Sequence, residues 1–169
     1  VPLDRFNAAW RESYVSSTTA RHNLDDAMAC VFCALASEPV NESTGVLYQS
    51  AESFITLNAY PYGSGHLLIL PRRHVGELDE LSDDEYLDFT KVLRVATRAL
   101  TRAYGADGMN VGMNLGRAGG AGIPKHLHAH ALPRWDGDTN FMTTIAETRV
   151  LPESLASTWG KVHEAIEAR

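Results

Sequence analysis

Cysteine is scarce in this chain: Cys30 and Cys33 are the only two among 169 residues. So few thiols exclude a disulfide-stapled scaffold and leave the pair for a metal or redox role. Positive charge is in deficit as well. Fifteen Lys and Arg stand against 21 Asp and Glu, a formal net charge of -6. That balance argues against a broad nucleic-acid or anionic-membrane surface, while leaving room for a small basic pocket around an anionic ligand. No apolar run approaches the length of a bilayer span. The opening residues, Val1 to Arg5, hold no apolar signal core. The expectation is therefore a cytoplasmic protein. Repeats and low-complexity segments are also missing. Hydrophobic residues still make up 44% of the chain, enough for a core, and the length suits one domain.

The periodicity then places elements. Phe6, Trp10 and Tyr14 recur every four residues and predict a short amphipathic helix over 4–14. Residues 15–28 are polar and read as irregular. A short helix follows Cys30 and carries Phe32 and Leu35. Residues 45–50 and 53–60 read as two strands joined by a tight turn, and 65–73 as a buried strand stopped by Pro71. Ser82 with Glu85 makes a capping box. The helix behind it, 83–104, is expected to bury Tyr86, Phe89, Leu93, Ala96 and Leu100, with Gly105 just past its end. Residues 108–116 alternate as a strand, a Gly-rich loop covers 116–122, and Pro152 opens a last helix from Glu153 to about Ala168. Strands in succession with helices inserted between them predict an α+β fold on an antiparallel sheet.

Three of the seven histidines fall in five residues of "HLHAHALPRW": His126, His128 and His130. On a strand, positions two apart share a face. The three imidazoles would form a row, with Leu127, Ala129 and Ala131 facing the core behind them. Such a row could present nitrogen ligands to a metal. It could equally supply a nucleophile and a proton donor, since imidazole is uncharged near neutral pH and attacks phosphorus readily. The preceding loop favours phosphate chemistry. Gly116, Gly119, Gly120 and Gly122 can expose backbone N–H groups to phosphate oxygens, and Arg117, Lys125 and Arg134 add local positive charge. The "CVFC" pair admits three readings: a redox motif, half of a zinc site, or two small buried residues. A closed zinc site would need two further ligands. His22 and His163 read as surface residues.

"HLHAHAL" resembles the signature of the histidine triad (HIT) family of nucleotide hydrolases and transferases. The resemblance runs from about Cys30 to Asn140 and includes "LNAYPYGSGHLLILPRRH". The chain then divides into an N-terminal extension (1–29), the HIT domain (30–140) and a C-terminal strand and helix packed on the same domain (141–169). "AGIPKHLHAHALPRWDGDTNF" and "AAWRESYV" are similar to the branch associated with dinucleoside polyphosphates such as diadenosine tetraphosphate. The resemblance implies a five-stranded antiparallel sheet with a long helix and a C-terminal helix, in a homodimer formed through sheets or long helices.

The resemblance also implies roles. His128 would attack the α-phosphate and form a nucleotidyl-histidine. His130 would bond the phosphate or leaving group and help move its proton, and His66 would support the row. Asn58 would hold the ribose hydroxyls. Asn114 and the Gly122-Ile123 backbone would line the phosphate site. Val31, Phe32, Leu35 and Leu68 match the base pocket, with ordinary core packing as the plain alternative. Many family members carry Ser, Thr or Gln just before the triad; here Gly122-Ile123-Pro124-Lys125 stands there, so backbone amides or Lys125 would take over that contact. Cys30, Cys33, His74 and His126 match the ligands of a structural zinc in zinc-containing relatives. No catalytic metal is required, and magnesium is an optional companion of a polyphosphate substrate. Water as acceptor would make a hydrolase, inorganic phosphate a phosphorylase. Three rivals remain at this level: a nucleoside phosphoramidate or AMP-ester hydrolase, a nucleotide-binding signalling protein with incidental turnover, and an enzyme using the histidine row as metal ligands.

Overall fold

The computed structural model describes residues 30–138 and 153–168. The helix expected over 4–14, the polar stretch after it, His22 and Pro152 lie outside them. A short helix α1 (Val31–Ser37) leads into strands β1 (Val46–Gln49), β2 (Ser53–Leu57) and β3 (Leu67–Pro71). The long helix α2 (Asp83–Tyr104), strands β4 (Gly108–Met113) and β5 (Ala129–Arg134), and helix α3 (Leu155–Glu167) follow. The strands form one antiparallel sheet in the order β1-β2-β3-β5-β4. This is the α+β architecture expected, with each strand shorter than the sequence pattern indicated. No helix among the described residues is long and apolar enough to cross a membrane.

Strand alternation divides the core in two. On one face Leu47, Ile55, Leu57, Leu67, Ile69, Ala129 and Ala131 pack against Phe89, Val92, Ala96 and Leu100 of α2 and Val162 of α3. On the other, Phe54, Leu68 and Leu70 pack against Phe32 and Ala36 of α1. His130 pairs with Leu68 on β3 and with Gly112 on β4, so it shares the second face.

Helix α2 starts where its capping box places it: the Ser82 side chain accepts from the Glu85 N–H, and Glu85 reaches back to the Ser82 N–H. Its buried stripe is Phe89, Val92, Ala96, Ala99 and Leu100. Two expectations are corrected. Tyr86 is 51% exposed because it stands in the first turn, a turn before the stripe begins, and Leu93 at the margin of the stripe is only partly buried. His163 is not a plain surface residue either. It is partly buried, its ring stacked on Trp159 at 4.3 Å, because α3 lays that edge along β1, where Trp159 donates to the Val46 carbonyl. The N-terminal end of α3 is held by Glu153, which accepts from the hydroxyls of Tyr104 and Thr158 and pairs with Lys161.

The histidine row is only partly on a strand. β5 begins at Ala129, so His130 lies within it while His126 and His128 precede it. The cause is Pro71. Continuing the β3–β5 register two residues past the Ile69–Ala129 pair sets Leu127 against Pro71, which has no N–H to give. The Leu127 N–H instead donates to the Val75 carbonyl at 2.6 Å. That detour requires close approach of two backbones at Gly76, where a Cβ would stand 2.9 Å from the Pro124 oxygen.

Candidate active site and metal centre

The row is assembled by hydrogen bonds that fix each ring's tautomer. His126 is fully buried, and its Nε2 lies 2.9 Å from the Pro71 carbonyl oxygen. A carbonyl only accepts, so Nε2 carries the proton and Nδ1 keeps its lone pair. His128 Nδ1 lies 2.8 Å from the carbonyl oxygen of His126. By the same logic Nδ1 carries its proton, and Nε2 is the ring atom with a free electron pair for chemistry.

His130 has the reverse polarity. The Tyr62 N–H donates to His66 Nδ1 at 3.0 Å, so His66 holds its proton on Nε2. That Nε2 donates to His130 Nδ1 at 2.9 Å. The proton of a neutral His130 is thereby placed on Nε2, which is buried without a hydrogen-bond partner among the described residues. The two rings touch, with centroids 5.1 Å apart. One therefore offers a lone pair on Nε2 and the next a proton on Nε2. Phe32 closes the row on one flank, 5.5 Å from the His126 ring and 5.3 Å from His128. Tyr62 stands on the other flank, 4.5 Å from His66 and 5.8 Å from His130.

Burial keeps these imidazoles neutral. It lowers His128 and, with the neighbouring His128 as a second cause, pushes His130 down to about 4. His126 is likewise held down at about 4, chiefly by burial. His66 is placed by the residue before it. Gly65 has φ +75, and a Cβ there would lie 2.8 Å from Pro133 and 2.9 Å from Tyr104. A cavity of about 310 Å³ borders His66 between its loop and the start of α3, but neither His128 nor His130 lines it.

The remaining candidates are distributed unevenly. Asn58 reaches His66 rather than standing apart. Its amide nitrogen is 3.3 and 3.4 Å from the two ring nitrogens, and its oxygen accepts from the Tyr60 N–H at 2.9 Å. Phe32, Leu35, Leu68 and Ile123 come together in one apolar cluster, whereas Val31 is 50% exposed and outside it. Within the glycine loop the N–H groups of Gly120 and Ala121 turn back on Arg117 and Gly116, so the phosphate expectation rests on Gly122 and Ile123. Asn114 is partly buried and faces Gly120. Lys125 is exposed. Arg134 is engaged by Asp138 and Asn110, so it adds little free charge to the site. Sequence reasoning missed Tyr62. Its signal was the spacing "YGSGH", which sets its backbone N–H four residues before His66.

At the His126 end of the row, Cys30, Cys33, His74 and His126 bring four ligand atoms within 4.8 Å of one another. His126 Nδ1 is 3.5 Å from each sulfur, and His74 Nδ1 is 3.2 Å from that of Cys33. Two sulfurs and two imidazole nitrogens form the tetrahedral donor set that zinc prefers. The lone pair on His126 Nδ1 is aimed at the thiols because its other nitrogen is committed to Pro71. Burial, followed by the adjacent Cys30, pushes the Cys33 thiol up to about 11, a strain that a divalent cation between the sulfurs would relieve. The residues present thus fit a zinc ion and could hold one.

Two outcomes are expected. The purified chain should carry about one zinc ion per molecule by elemental analysis. The Cys30→Ser, Cys33→Ser double variant should carry none; metal retained at full occupancy would disprove this site. The second outcome concerns acid. An unfolded histidine titrates near 6.5, whereas native His130 does so at about 4. Between those values the unfolded chain binds more protons, so stability is complete above about pH 6.5 and is lost as the pH falls toward 4. His130→Asn should reduce the pH dependence of urea unfolding in that window by up to about one proton. An unchanged slope would show that His130 is not held neutral.

Comparison with known proteins agrees with this geometry. The family model described as HIT domain matches residues 40–137. A Mycobacterium tuberculosis protein named AP-4-A phosphorylase is 41% identical over 105 residues, which cover 62% of this chain and 54% of that one. A Saccharomyces cerevisiae bis(5'-adenosyl)-triphosphatase is 36% identical over 91 residues, 53% of this chain and 44% of that one. The chain thus matches about half the length of these curated relatives. Among solved structures, a zinc-bound histidine triad family protein from Mycobacterium smegmatis shares the fold at TM-score 0.68 and 24% identity, over 85% of this chain and 96% of that one. A hypothetical histidine triad nucleotide-binding protein from Sulfolobus tokodaii superposes at TM-score 0.65 with 26% identity, over 82% and 93%. With the histidine row, the sheet and a domain match over more than half of its residues in agreement, the chain belongs to the HIT domain family.

Proposed function

We propose that the protein transfers a nucleotidyl group from a dinucleoside polyphosphate through a covalent intermediate on His128. The observation that carries this reading is the opposed polarity of the two adjacent rings: a lone pair on His128 Nε2 and a proton on His130 Nε2. A nucleophile and a hydrogen-bond donor in contact serve in-line displacement at phosphorus, one attacking and the other stabilising the departing charge. His128 Nε2 attacks the α-phosphorus, the bond to the bridging oxygen breaks, and the polyphosphate departs as an anion whose oxygen accepts a hydrogen bond from His130 Nε2. His66 holds His130 in the donating tautomer. The acceptor then attacks the nucleotidyl-histidine and releases His128. The identity of 41% with a protein named AP-4-A phosphorylase favours inorganic phosphate as acceptor over water.

Within this reading the apolar cluster of Phe32, Leu35, Leu68 and Ile123 takes the purine base, and Asn58 and Asn114 contact ribose and phosphate. Cys30, Cys33, His74 and His126 hold a structural zinc, which would clamp α1 against the row and supply no reaction step. Magnesium gains no carboxylate site of its own among the described residues, where the Cys and His cluster is the one group of potential metal ligands. Histidines of the row other than His126 are engaged by hydrogen bonds rather than by a shared ion site, which disfavours their use as ligands of a catalytic metal.

The test follows products from diadenosine tetraphosphate with and without inorganic phosphate. ADP plus ATP formed only with phosphate is the expected result; AMP plus ATP without phosphate would make the acceptor water. His128→Ala should lower turnover by at least about a thousand-fold. Full activity in that variant would rule out the covalent route, and turnover of an AMP phosphoramidate alone would reassign the leaving group. A second copy of the chain is proposed to pair along the open edge strand β4, where Val111 is 47% and Met113 36% exposed. Val111→Lys should convert a sedimenting dimer to monomer; a wild type that sediments as monomer at high concentration would refute the pairing.

A further inference from the structure

The turn between β3 and α2 is latched by one carboxylate. Glu80, exposed at the end of a single 3-10 turn (Leu78–Glu80), accepts from the Gly76 N–H at 2.8 Å and from the Glu77 N–H at 2.9 Å, both on Oε2. The Glu77 and Gly76 N–H groups hold this carboxyl below the usual carboxylate range. The Glu80 backbone is held as well. Arg73 Nη2 donates to its carbonyl at 2.6 Å, while the same guanidinium pairs with Glu85 in the cap of α2. The start of α2, Glu80 and residues 76 and 77 are therefore tied together. A hydrogen bond to a charged acceptor is roughly twice as strong as one between neutral groups, and here two converge on one oxygen.

This turn meets the approach to the row at two points. The Val75 carbonyl accepts the Leu127 N–H at 2.6 Å. Gly76 faces the backbone of the next residues upstream, where a Cβ would lie 2.9 Å from the Pro124 oxygen and 3.3 Å from the Lys125 Cα. Neither contact belongs to the β3–β5 ladder, which ends at the Ile69–Ala129 pair. Residues 124–127 thus take their position from the turn. Leu127 stands between the two residues whose bond, His128 Nδ1 to the His126 carbonyl, fixes the His128 tautomer. We propose that Glu80 is a positioning residue for nucleotidyl transfer: by fixing the turn at Gly76 it sets Leu127, and with it the backbone that carries the His126 and His128 rings. This rests on the reading above and adds to it a residue outside the row. Glu80 acts through successive contacts, from Gly76 to its neighbour Val75 and from Val75 to Leu127.

The experiment pairs imidazole proton–nitrogen NMR at neutral pH with steady-state kinetics on diadenosine tetraphosphate plus inorganic phosphate. In Glu80→Ala the His128 nitrogen shifts should move from those of an Nδ1-protonated ring toward a tautomer mixture. Its kcat should fall roughly 10- to 100-fold with KM little changed. Glu80→Gln should restore both, since its amide oxygen can accept from the same two N–H groups. Glu80→Asp draws the carboxylate back and should show the same changes to a smaller degree; it carries the test if thermal melting shows the alanine variant unfolded. Ser82→Ala removes the side-chain cap of α2 and leaves the turn alone. It should lower the melting temperature without moving the His128 signals. Wild-type His128 shifts in both Glu80→Ala and Glu80→Asp would overturn the proposal. The same displacement in Ser82→Ala would overturn it too, by making the effect a general loosening of α2. Should the wild type turn over no dinucleotide, the proposed function falls, while the His128 spectra still decide the role of Glu80.

Discussion

The carbonyl of Pro71 is the point on which the rest of the site turns. A proline there ends the β3–β5 ladder, since it has no N–H to continue it. Its carbonyl is then available and takes the Nε2 proton of His126 at 2.9 Å. That one bond does two things. It turns the other nitrogen of His126 toward the two cysteines. It also holds residue 126 so that its backbone carbonyl meets His128 Nδ1 at 2.8 Å. Cluster and row are therefore two consequences of one residue's orientation. A change at the cysteines would reach His128 through the backbone of His126.

Burial explains how a row of basic groups can sit at contact distance. Three protonated imidazoles at contact distance would repel one another, and the charged form is the one that burial disfavours. The row is accordingly neutral, and neutrality is what makes its polarity definite. A neutral ring has one donor and one acceptor, so each hydrogen bond to a known partner decides the other nitrogen. In the proposed reaction an incoming phosphate brings negative charge to this pocket. Charge of that sign favours the protonated form of His130 and opposes the burial effect. The His130 Nε2 proton thus meets the developing negative charge as a hydrogen bond, and the empty row need not be charged beforehand.

Much of this was legible in the chain, for definite reasons. The alternation from Ala129 onward and the capping box at Ser82 are local patterns, and both are kept in the fold. The four metal-site residues were named through family resemblance, and the structure brings their ligand atoms within 4.8 Å. What failed was long-range. The row was expected on one strand, yet the strand starts at Ala129 because Pro71, 56 residues before Leu127, cannot complete the ladder. Tyr86 was expected in the core because it continues the helical period, but a period does not say where the sheet beneath a helix ends. Arg134 looked like charge for a phosphate, and its engagement with Asp138 and Asn110 depends on a turn and a neighbouring strand that no motif records.

The loop carrying Tyr60 and Tyr62 shows how a backbone constraint becomes a chemical one. Gly65 sits where a Cβ would collide with Pro133 and Tyr104, so the chain can pass closely behind His66 only without a side chain there. That close passage brings the Tyr62 N–H back onto His66 Nδ1, which is the first step in fixing the proton on His130. The same passage leaves the Tyr62 ring stacked beside His130. A loop looser at Gly65 would lose both together: the donor that sets the tautomer and the ring packed beside His130. Proton placement on His130 and the packing of the Tyr62 ring against it are in this way coupled through four residues of backbone.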